Sequence, residues 1–378
     1  MMRALLYRCA VAGLMATAVV AGAVGAAEAL TRTQRLILFG LPSWLPRTGV
    51  GTPTLYVDFA NGRYWYQGNR GSLSAWLAAL GGTFTRADSP SGIATDLLPS
   101  AAAGAAYHTY AANVPRVIAG SGILIEKNRT NLFLNSTAPA TQTINFTSTG
   151  TYQLWVNGSG SIAMSAGTAT GCGTGTATNG NPVSFTLTAT GTCVFAVSGA
   201  LNFAQVELGS FGSSGIVTGG ATAARDTDTF TVPLGAWYRQ ATGSIRATEI
   251  ISGLSLGSPA DWSLGTSTAT GLIRIGEKSG AVAGVDMWVS VSKIFSAATG
   301  ALTVGSTAKT MMAFQNGDAA VSFNGSSPIT GTPTTTGLSA ATSQIGQDET
   351  GSFKFGFISS LAYWPARVPN ADLQRLTK

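Results

Sequence analysis

Charged side chains and histidine are scarce in this 378-residue chain. Lys, Arg, Asp and Glu together make up 10% of the residues, and the one histidine is His108. Metal centres need several His, Cys, Asp or Glu ligands at suitable spacing, and no such residues are arranged around His108. The sequence therefore predicts no metal site, and it contains no phosphate-binding loop or other cofactor motif.

Carboxylate pairs suited to catalysis are also missing. Glycoside hydrolysis needs two carboxyl groups about 5 to 10 Å apart in one cleft, which strands commonly supply as Glu-x-Asp. Asp226 and Asp228 fall instead in a predicted connector, whereas Asp348 and Glu349 are adjacent, so a strand would point them to opposite faces. The other acids in the C-terminal part are widely spaced single residues, namely Glu249, Asp261, Glu277 and Asp286. The sequence therefore predicts no enzymatic activity, although acids from separate strands could still converge.

The formal net charge of +6 does not indicate a nucleic-acid partner. Residues 1–50 carry five Arg and one Glu, a balance of +4, whereas residues 51–378 hold 17 basic and 15 acidic side chains, a balance of +2. The excess lies mostly at the N-terminus, and the body has no Lys or Arg cluster with interleaved aromatic residues. We therefore expect no binding of DNA or RNA.

A hydrophobic leader opens the chain at residues 1–30. Basic residues precede a run of small and apolar residues, and Ala27 and Ala29 suit a cleavage site of the small-x-small kind. We interpret this leader helix as a cleaved secretory signal. A membrane anchor is the alternative, because about 20 apolar residues can span a bilayer, and a helix packed inside an assembly is a third interpretation. Residues 31–50 are interpreted as a linker.

Cysteine is rare, with three residues in the chain, and one of them lies in the leader. The other two, Cys172 and Cys193, lie between Thr130 and Ala224, where Glu207 is the only charged side chain. Removal of the leader leaves an even pair, as expected in an oxidising compartment. We predict a disulfide between Cys172 and Cys193; the alternative is two unpaired thiols that act as small hydrophobic side chains.

The abundant residues indicate short strands joined by turns. Glycine occurs 48 times, hydrophobic residues make up 45% of the chain, and helix formers are scattered. Asn-Gly dipeptides between β-forming runs, such as Asn61-Gly62, are strong hairpin signals. A long strand is predicted from Val285 to Ile294. Helices are predicted from Ser72 to Leu80, with Ser72 or Ser74 as the cap, and from Asn370 to Leu376, with Asn370 as the cap.

The predicted fold class is all-β, with tandem β-sandwich or jelly-roll modules after the leader. Residues 51–136 are predicted to form a mixed, mainly β segment. A small sandwich that resembles a carbohydrate-binding module is predicted at residues 137–209, because six short strands alternate polar and apolar residues there. Residues 210–231 form a Gly- and Ser-rich connector, and residues 232–378 are predicted to form a concanavalin A-like jelly roll.

Seven short motifs occur in order along the chain. The most specific is GILIEKNRTNLFLNS at residues 122–136, and the others are LYVDFA from Leu55, FTRAD from Phe84, ANVPR from Ala112, AQVELGSF from Ala204, AARD from Ala223 and ISSLAYWPAR from Ile358. Together they resemble the motifs of bacteriophage and prophage virion proteins of the tail-fibre or head-spike type, including the ending of a lectin-like jelly roll.

This resemblance implies a non-enzymatic structural protein of the virion with adhesive modules for host attachment. It also implies other virion proteins as partners and a homo-oligomer, by resemblance a trimer. The leader favours a different class, a secreted or surface lectin-like bacterial protein, because assembly of phage in the cytosol does not need export. A glycoside hydrolase is a further alternative.

Exposed aromatic residues are the candidate ligand-binding groups, with host-surface glycans as the expected ligands. A flat ring stacks on the face of a sugar while nearby amides bind its hydroxyls. The alternative is that these rings fill the interiors of the sandwiches, as large aromatics normally do. The candidates are Trp155, Asn157, Trp237, Trp262 and Trp288.

Overall fold

A computed structural model describes residues 41–378 except 89, 91, 254–257 and 280. The predicted leader helix at residues 1–30 and the linker up to residue 40 lie outside the described residues. Residues 41–47 contain a turn in which Leu45 N donates a hydrogen bond to Pro42 O (3.1 Å). The elements that follow are almost entirely antiparallel strands, so the fold is all-β, as the composition predicts.

The first part of the chain forms short strands and one helix, α1 (Leu73–Leu80). The Ser72 hydroxyl caps α1 by accepting a hydrogen bond from Ala75 N (3.2 Å). The helix ends at Gly81, whose φ of 66° favours glycine. The strands are β1 (Leu55–Asp58), β2 (Arg63–Tyr66), β3 (Asn69–Gly71), β4 (Thr83–Thr85), β5 (Ala94–Thr95), β6 (Thr109–Tyr110), β7 (Arg116–Ile118), β8 (Gly122–Leu124) and β9 (Arg129–Asn131).

The middle of the chain forms a small sandwich. Its strands are β10 (Gln142–Phe146), β11 (Gly150–Gly158), β12 (Ser161–Ser165), β13 (Thr176–Thr178), β14 (Val183–Leu187), β15 (Gly191–Ser198) and β16 (Leu201–Leu208). One sheet has the order β10-β15-β12-β13 and the other has the order β14-β11-β16. Alternate residues of both sheets fill one apolar core, which includes Phe146, Leu154 and Phe195.

The remaining strands belong mostly to a larger sandwich, and the short helix α2 (Asn370–Leu376) follows them. The strands are β17 (Ala223–Arg225), β18 (Thr229–Pro233), β19 (Thr242–Ile251), β20 (Ala260–Ser267), β21 (Gly271–Lys278), β22 (Val282–Val289), β23 (Ser292–Ala301), β24 (Thr307–Gln315), β25 (Asp318–Phe323), β26 (Ile329–Gly331), β27 (Thr342–Ile345) and β28 (Gly356–Trp364).

Two sheets face each other in the large sandwich. Within the described ranges, one is ten-stranded, with the order β26-β25-β24-β19-β28-β1-β2-β3 and with β8 and β7 attached at β28. The other is seven-stranded, with the order β23-β22-β21-β20-β27-β18-β4. Their inward side chains form one continuous core that includes Val57, Ile245 and Leu361 from the first sheet and Ile275 and Met287 from the second.

The segment at residues 51–136 is not a separate module, contrary to the domain boundaries expected from the sequence. Strand β1 pairs along its whole length with β28, with Leu55 opposite Tyr363 and Asp58 opposite Ser360. Strand β4 likewise pairs with β18 at the edge of the second sheet. The N-terminal strands therefore complete both sheets of the C-terminal sandwich, and the small sandwich is inserted between the two parts of the large one.

Two local predictions were also wrong. The predicted strand from Val285 to Ile294 is a hairpin, because Ser290 and Val291 adopt φ values of 46° and 65° and reverse the chain. Helix α2 has the predicted bounds, but no side chain caps it: Pro369 precedes it, and Asn370 lies inside. Neither helix in the described part of the chain is long and apolar enough to cross a membrane.

The small sandwich contains a disulfide between Cys172 and Cys193. Their Cα atoms are 5.7 Å apart, which lies within the usual range for a disulfide. Cys193 lies in β15 and is fully buried, and Cys172 packs against the same core. The bond therefore ties the segment between β12 and β13 to a central strand.

Removal of this disulfide should destabilise the protein by about 3 kcal/mol, because a closed loop of this length limits the unfolded chain. The change is Cys172→Ala with Cys193→Ala, and the measurement is urea unfolding of the full chain with and without reductant. The wild type should lose stability on reduction, and the double variant should be insensitive to reductant. Free thiols at both positions in protein from its natural source would contradict the pairing.

Candidate functional site

Two of the tryptophans expected to bind a ligand fill the core of the large sandwich instead. Trp237 and Trp262 are each 1% exposed, and their rings stack with centroids 6.0 Å apart. The Trp237 indole donates a hydrogen bond to Pro233 O (3.0 Å), and its ring meets Tyr363 edge-on. Since these rings face the interior, the prediction that they form exposed stacking surfaces is corrected.

Trp155 and Asn157 also have structural roles, because both residues are about 1% exposed. Trp155 stacks on Phe203 with a centroid distance of 5.3 Å. Asn157 Nδ2 donates to Ala102 O (2.8 Å), and its Oδ1 accepts from Gly104 N (3.0 Å). These two residues attach the loop before β6 to strand β11, so they are not available to a glycan.

Trp288 is the one sequence-predicted candidate that keeps part of its ring exposed. Alternation along β22 puts Val285 and Met287 in the core, so Trp288 lies on the outer face of the seven-stranded sheet. Lys293 Nζ lies over the ring, 4.7 Å from its centroid. The neighbouring Asp286 accepts ion pairs from Arg274 (2.8 Å), Lys278 (3.1 Å) and Lys293 (3.4 Å).

The motif residues of the virion-protein resemblance come together in a buried network of charged groups. Its centre is Asp228, which follows the AARD motif and is fully buried. Asp228 accepts from Arg86 of FTRAD (3.3 Å), from Arg116 of ANVPR and from the backbone N of Glu126 (2.9 Å). Arg86 also pairs with Asp88 of its own motif, so Arg86 contacts two buried carboxylates.

Glu126, from the GILIEKNRTN motif, extends this network. Its carboxylate pairs with Arg116 (2.7 Å) and Arg225 (3.2 Å) and accepts from the backbone N of Ser214 (2.9 Å). Burial by itself raises the pKa of Glu126, but Arg225, Arg116 and the Ser214 hydrogen bonds outweigh it and lower the pKa to about 2. Glu126 therefore stays ionised and poorly suited to act as a general acid.

The network continues into the small sandwich through the AQVELGSF motif. Glu207 on β16 accepts from Gln205 Nε2 (2.9 Å) and from Ser213 N (2.6 Å), and Arg129 lies 3.5 Å away. Burial outweighs these partners and raises the pKa of Glu207. Asn131 attaches β9 directly to β16 of the small sandwich, because its Nδ2 donates a hydrogen bond to Ala204 O (3.2 Å). The two sandwiches are thus joined by buried, hydrogen-bonded polar groups.

A cleft of about 320 Å³ lies where the two sandwiches meet, directly beside the network. The small sandwich supplies Gln153 and Ser184, whose hydroxyl donates to Gln153 Oε1 (2.6 Å). The large sandwich supplies Phe355, which touches Phe211 of the connector. Further lining residues are Leu98, Pro99, Ser100, Leu124, Glu126, Gly180, Pro182, Ser210, Gly212, Ser252, Gly253 and Gly356.

The network and the packing beneath the cleft set its shape. The Arg129 guanidinium carbon lies 5.9 Å from the centroid of Phe211, so the network also positions an aromatic wall of the cleft. Gly212 allows the connector to pass close to Trp155, because a Cβ there would lie 2.7 Å from Trp155 Cδ1 and 2.8 Å from Pro99 Cγ. Trp155 therefore packs against the connector at Gly212, which lines the cleft.

The cleft has the chemistry of a binding site. Its two half-buried phenyl rings offer apolar faces, and serine hydroxyls and the Gln153 amide offer hydrogen bonds. Among the described lining residues, Glu126 is the only acid. In the part of the chain that the structure describes, no group of three or more His, Cys, Asp or Glu residues is arranged to hold a metal ion.

Sequence reasoning did not find Phe211 and Phe355. Phe211 ends the AQVELGSF motif, but its environment depends on a segment more than one hundred residues away. The sequence pattern favours a strand from Phe353 to Ala362, which includes Phe355, whereas the observed β28 begins at Gly356, three residues after Phe353. Periodicity could not show that Phe355 precedes the strand and faces a cleft.

No protein-family model and no curated protein matches this sequence. Among solved structures, domain 4 of AbnA, a GH43 extracellular arabinanase from Geobacillus stearothermophilus, is similar with 14% identity and a TM-score of 0.33, covering 40% of this chain and 73% of that chain. The Ruminococcus gnavus IT-sialidase CBM40 bound to α2,3 sialyllactose has 11% identity and a TM-score of 0.31, covering 37% and 84%. A heptameric SAP-like pentraxin from Limulus polyphemus has 16% identity and a TM-score of 0.28, covering 36% and 70%. These similarities are too low to assign a ligand or an activity.

The ionised state of Glu126 should make stability depend on pH. Its pKa is about 2 in the folded chain and about 4.3 when unfolded. Because the folded pKa is the lower one, this contribution is fully present above about pH 4.3 and is lost as the pH falls towards 2, by about 3 kcal/mol in total. Urea unfolding from pH 7 to pH 3 should therefore show the gap between wild type and Glu126→Gln narrowing in acid. A gap that does not vary with pH would contradict this assignment.

Proposed function

We propose that this protein is a non-enzymatic virion structural protein, a tail fibre or head spike, that binds host-surface glycans in the cleft between its sandwiches. The observation that carries the proposal is the convergence of the motif residues. Five of the motifs that resemble those of virion proteins contribute side chains to one network, and that network borders the cleft. The resemblance therefore involves the residues that determine how the two sandwiches are joined.

The lining of the cleft suits a glycan. The apolar faces of Phe211 and Phe355 match the apolar face of a sugar ring, while Gln153, Ser184 and Ser210 can exchange hydrogen bonds with hydroxyls. Such a contact is small and therefore weak for a single copy. In a homo-oligomer, a trimer by resemblance, linked copies would raise the apparent affinity by about 10² to 10⁴ without any new contact.

A hydrolytic role is disfavoured by the charge of the same cleft. Glycoside hydrolysis needs one carboxyl group that carries a proton and a second that acts as base or nucleophile. Glu126 is held ionised by Arg225 and Arg116, and no second acid is among the described lining residues. The proposal is therefore a site that binds without cleaving.

A secreted or surface lectin-like bacterial protein is the second candidate function. The disulfide between Cys172 and Cys193 favours it, because disulfides persist mainly in oxidising compartments, and the leader suits export. N-terminal sequencing of the natural product distinguishes the two. A start after Ala29 would favour export, and an uncleaved chain in purified particles would favour the virion.

Truncation of either phenyl ring should reduce glycan binding. Phe211→Ala and Phe355→Ala each remove a stacking surface worth about 1 to 1.5 kcal/mol, so binding of an array-selected glycan should weaken roughly tenfold. The measurement is a glycan array probed with the assembled oligomer, followed by titration of the best ligand. Unfolding curves verify that each variant is folded.

Trp288→Ala is the matched control, because this ring lies on the outer face of the seven-stranded sheet and does not line the cleft. It should leave binding unchanged. Loss of binding in Trp288→Ala with retention in both phenylalanine variants would move the site to that sheet. The absence of any signal from a properly assembled oligomer would leave a purely structural spike as the better account.

A further inference from the structure

A second group of buried charges lies inside the large sandwich, apart from the cleft and the network. It contains one cation, Lys354, and three acids, Glu249, Asp261 and Glu277, none of which is more than 2% exposed. These residues belong to neither of the sites described above. A buried ammonium beside three buried carboxyl groups is costly unless protons or bonds are rearranged, because each unpaired charge loses its hydration.

The two sheets bring these groups together from opposite sides. On β19, Ile245 and Ala247 face the core. The buried Glu249 follows them, at an irregularity in the pairing of β19 with β28. On β21, Ile273 and Ile275 face the same core, so Glu277 two residues later points inward as well. Lys354 arrives from the segment before β28, where its backbone N donates to Gly346 O (3.0 Å).

Lys354 Nζ is in direct contact with Glu249 Oε2 and lies 3.6 Å from Glu277 Oε2. Among the described residues, neither Nζ nor the two Glu249 oxygens have a further hydrogen-bond partner outside this group. Asp261 is hydrogen-bonded to Glu249, and burial together with the charge of Glu249 raises the pKa of Asp261 well above its usual value. These effects favour the protonated form of Asp261, which lies beside the carboxyl group that Lys354 touches.

We propose that Lys354 and Glu249 condense in the folded protein to form an amide cross-link between their side chains, with Asp261 and Glu277 as the proton-transferring groups. The arrangement contains what amide formation needs: an amine source held against a carboxyl carbon, an acid to activate that carboxyl, and a base for the amine. The reaction would join β19 to the segment that leads into β28, its neighbour in the ten-stranded sheet.

The steps balance without any added reagent. The Lys354 ammonium gives a proton to Glu277, and Asp261 gives its proton to the Glu249 carboxylate. The Lys354 amine then attacks Glu249 Cδ to form the C–N bond, and the surplus proton on nitrogen returns to Asp261. Glu277 protonates the departing hydroxyl as the Cδ–O bond breaks. One ammonium and one carboxylate thus become one amide and one water, and both proton carriers recover their starting states.

The first proton transfer is the demanding step. Burial lowers the pKa of Lys354, but its acidic neighbours, Glu249 above all, outweigh burial and hold that pKa above its usual value. Lys354 is therefore an ammonium before the reaction, and attack requires a transient neutral pair with Glu277. Low polarity favours such a pair, because proton transfer removes two opposite charges at once. Completion removes the buried ion pair permanently, so the reaction should be slow but one-way.

The intact mass of the full chain tests the proposal directly. Protein purified in its folded state is reduced, denatured and weighed, and its mass is compared with that expected from its sequenced N-terminus. The expected result is a mass lower by one water molecule, with a proteolytic fragment that contains the Glu249 and Lys354 peptides joined. Further fragmentation of this joined fragment must place the missing water at the link between Glu249 and Lys354.

Variants identify the residues. Lys354→Met should restore the full mass, whereas Lys309→Met, which changes a lysine on β24, should keep the deficit of one water. If Lys354→Met does not fold, the wild type alone still decides the matter. Folded wild-type protein with the full mass, and with Lys354 in a linear peptide that trypsin cleaves, would overturn the proposal. A water deficit located at other residues would overturn it equally.

Discussion

The structure depends most on the pairing of one buried carboxylate, Asp228, with two buried arginines, Arg86 and Arg116. None of the three side chains is exposed to solvent, so their charges are stabilised by one another, by Asp88 and Glu126, and by neighbouring polar groups. Removal of one member lowers the free energy of unfolding by far more than the intact set raises it, because a buried charge is left without a partner. This constraint explains why the motifs pair acids with arginines although the chain has few charges.

The same network determines where the binding surface can form. Glu126 and Ser214 are its members beside the large sandwich, and Gln205 and Glu207 are its members on the small sandwich. The cleft therefore lies between two modules that are joined by directional hydrogen bonds and ion pairs. A network of this kind fixes orientation, because hydrogen bonds and ion pairs tolerate less sliding than apolar surfaces do.

Local features of the fold could be read from the sequence. Asn61-Gly62 predicts the β1–β2 hairpin, and Ser72 with Gly81 predicts both ends of helix α1, because these signals act over a few residues. The hairpin at Ser290 and Val291 was missed because neither residue type favours positive φ. The pairing of β1 with β28 was missed because no local pattern reports a contact across three hundred residues.

The candidate site shows the same limit. The sequence identified the motif residues as a group, but their burial and mutual pairing could be known only from the fold. It proposed tryptophans as ligand contacts, and three of them are core residues because large rings gain most from burial. The phenylalanines of the cleft, which lie far apart in the chain, carried no signal that distinguished them from core residues.

The free energy of unfolding of Asp228→Asn tests the central claim most directly. This change keeps the shape of the side chain and removes the charge between two buried arginines, so the account predicts a loss of about 3 to 5 kcal/mol. The matched control is Asp226→Asn, two residues away and exposed, which should change stability by less than about 0.5 kcal/mol. Equal, small effects for both variants would contradict the claim that this buried pairing holds the structure together.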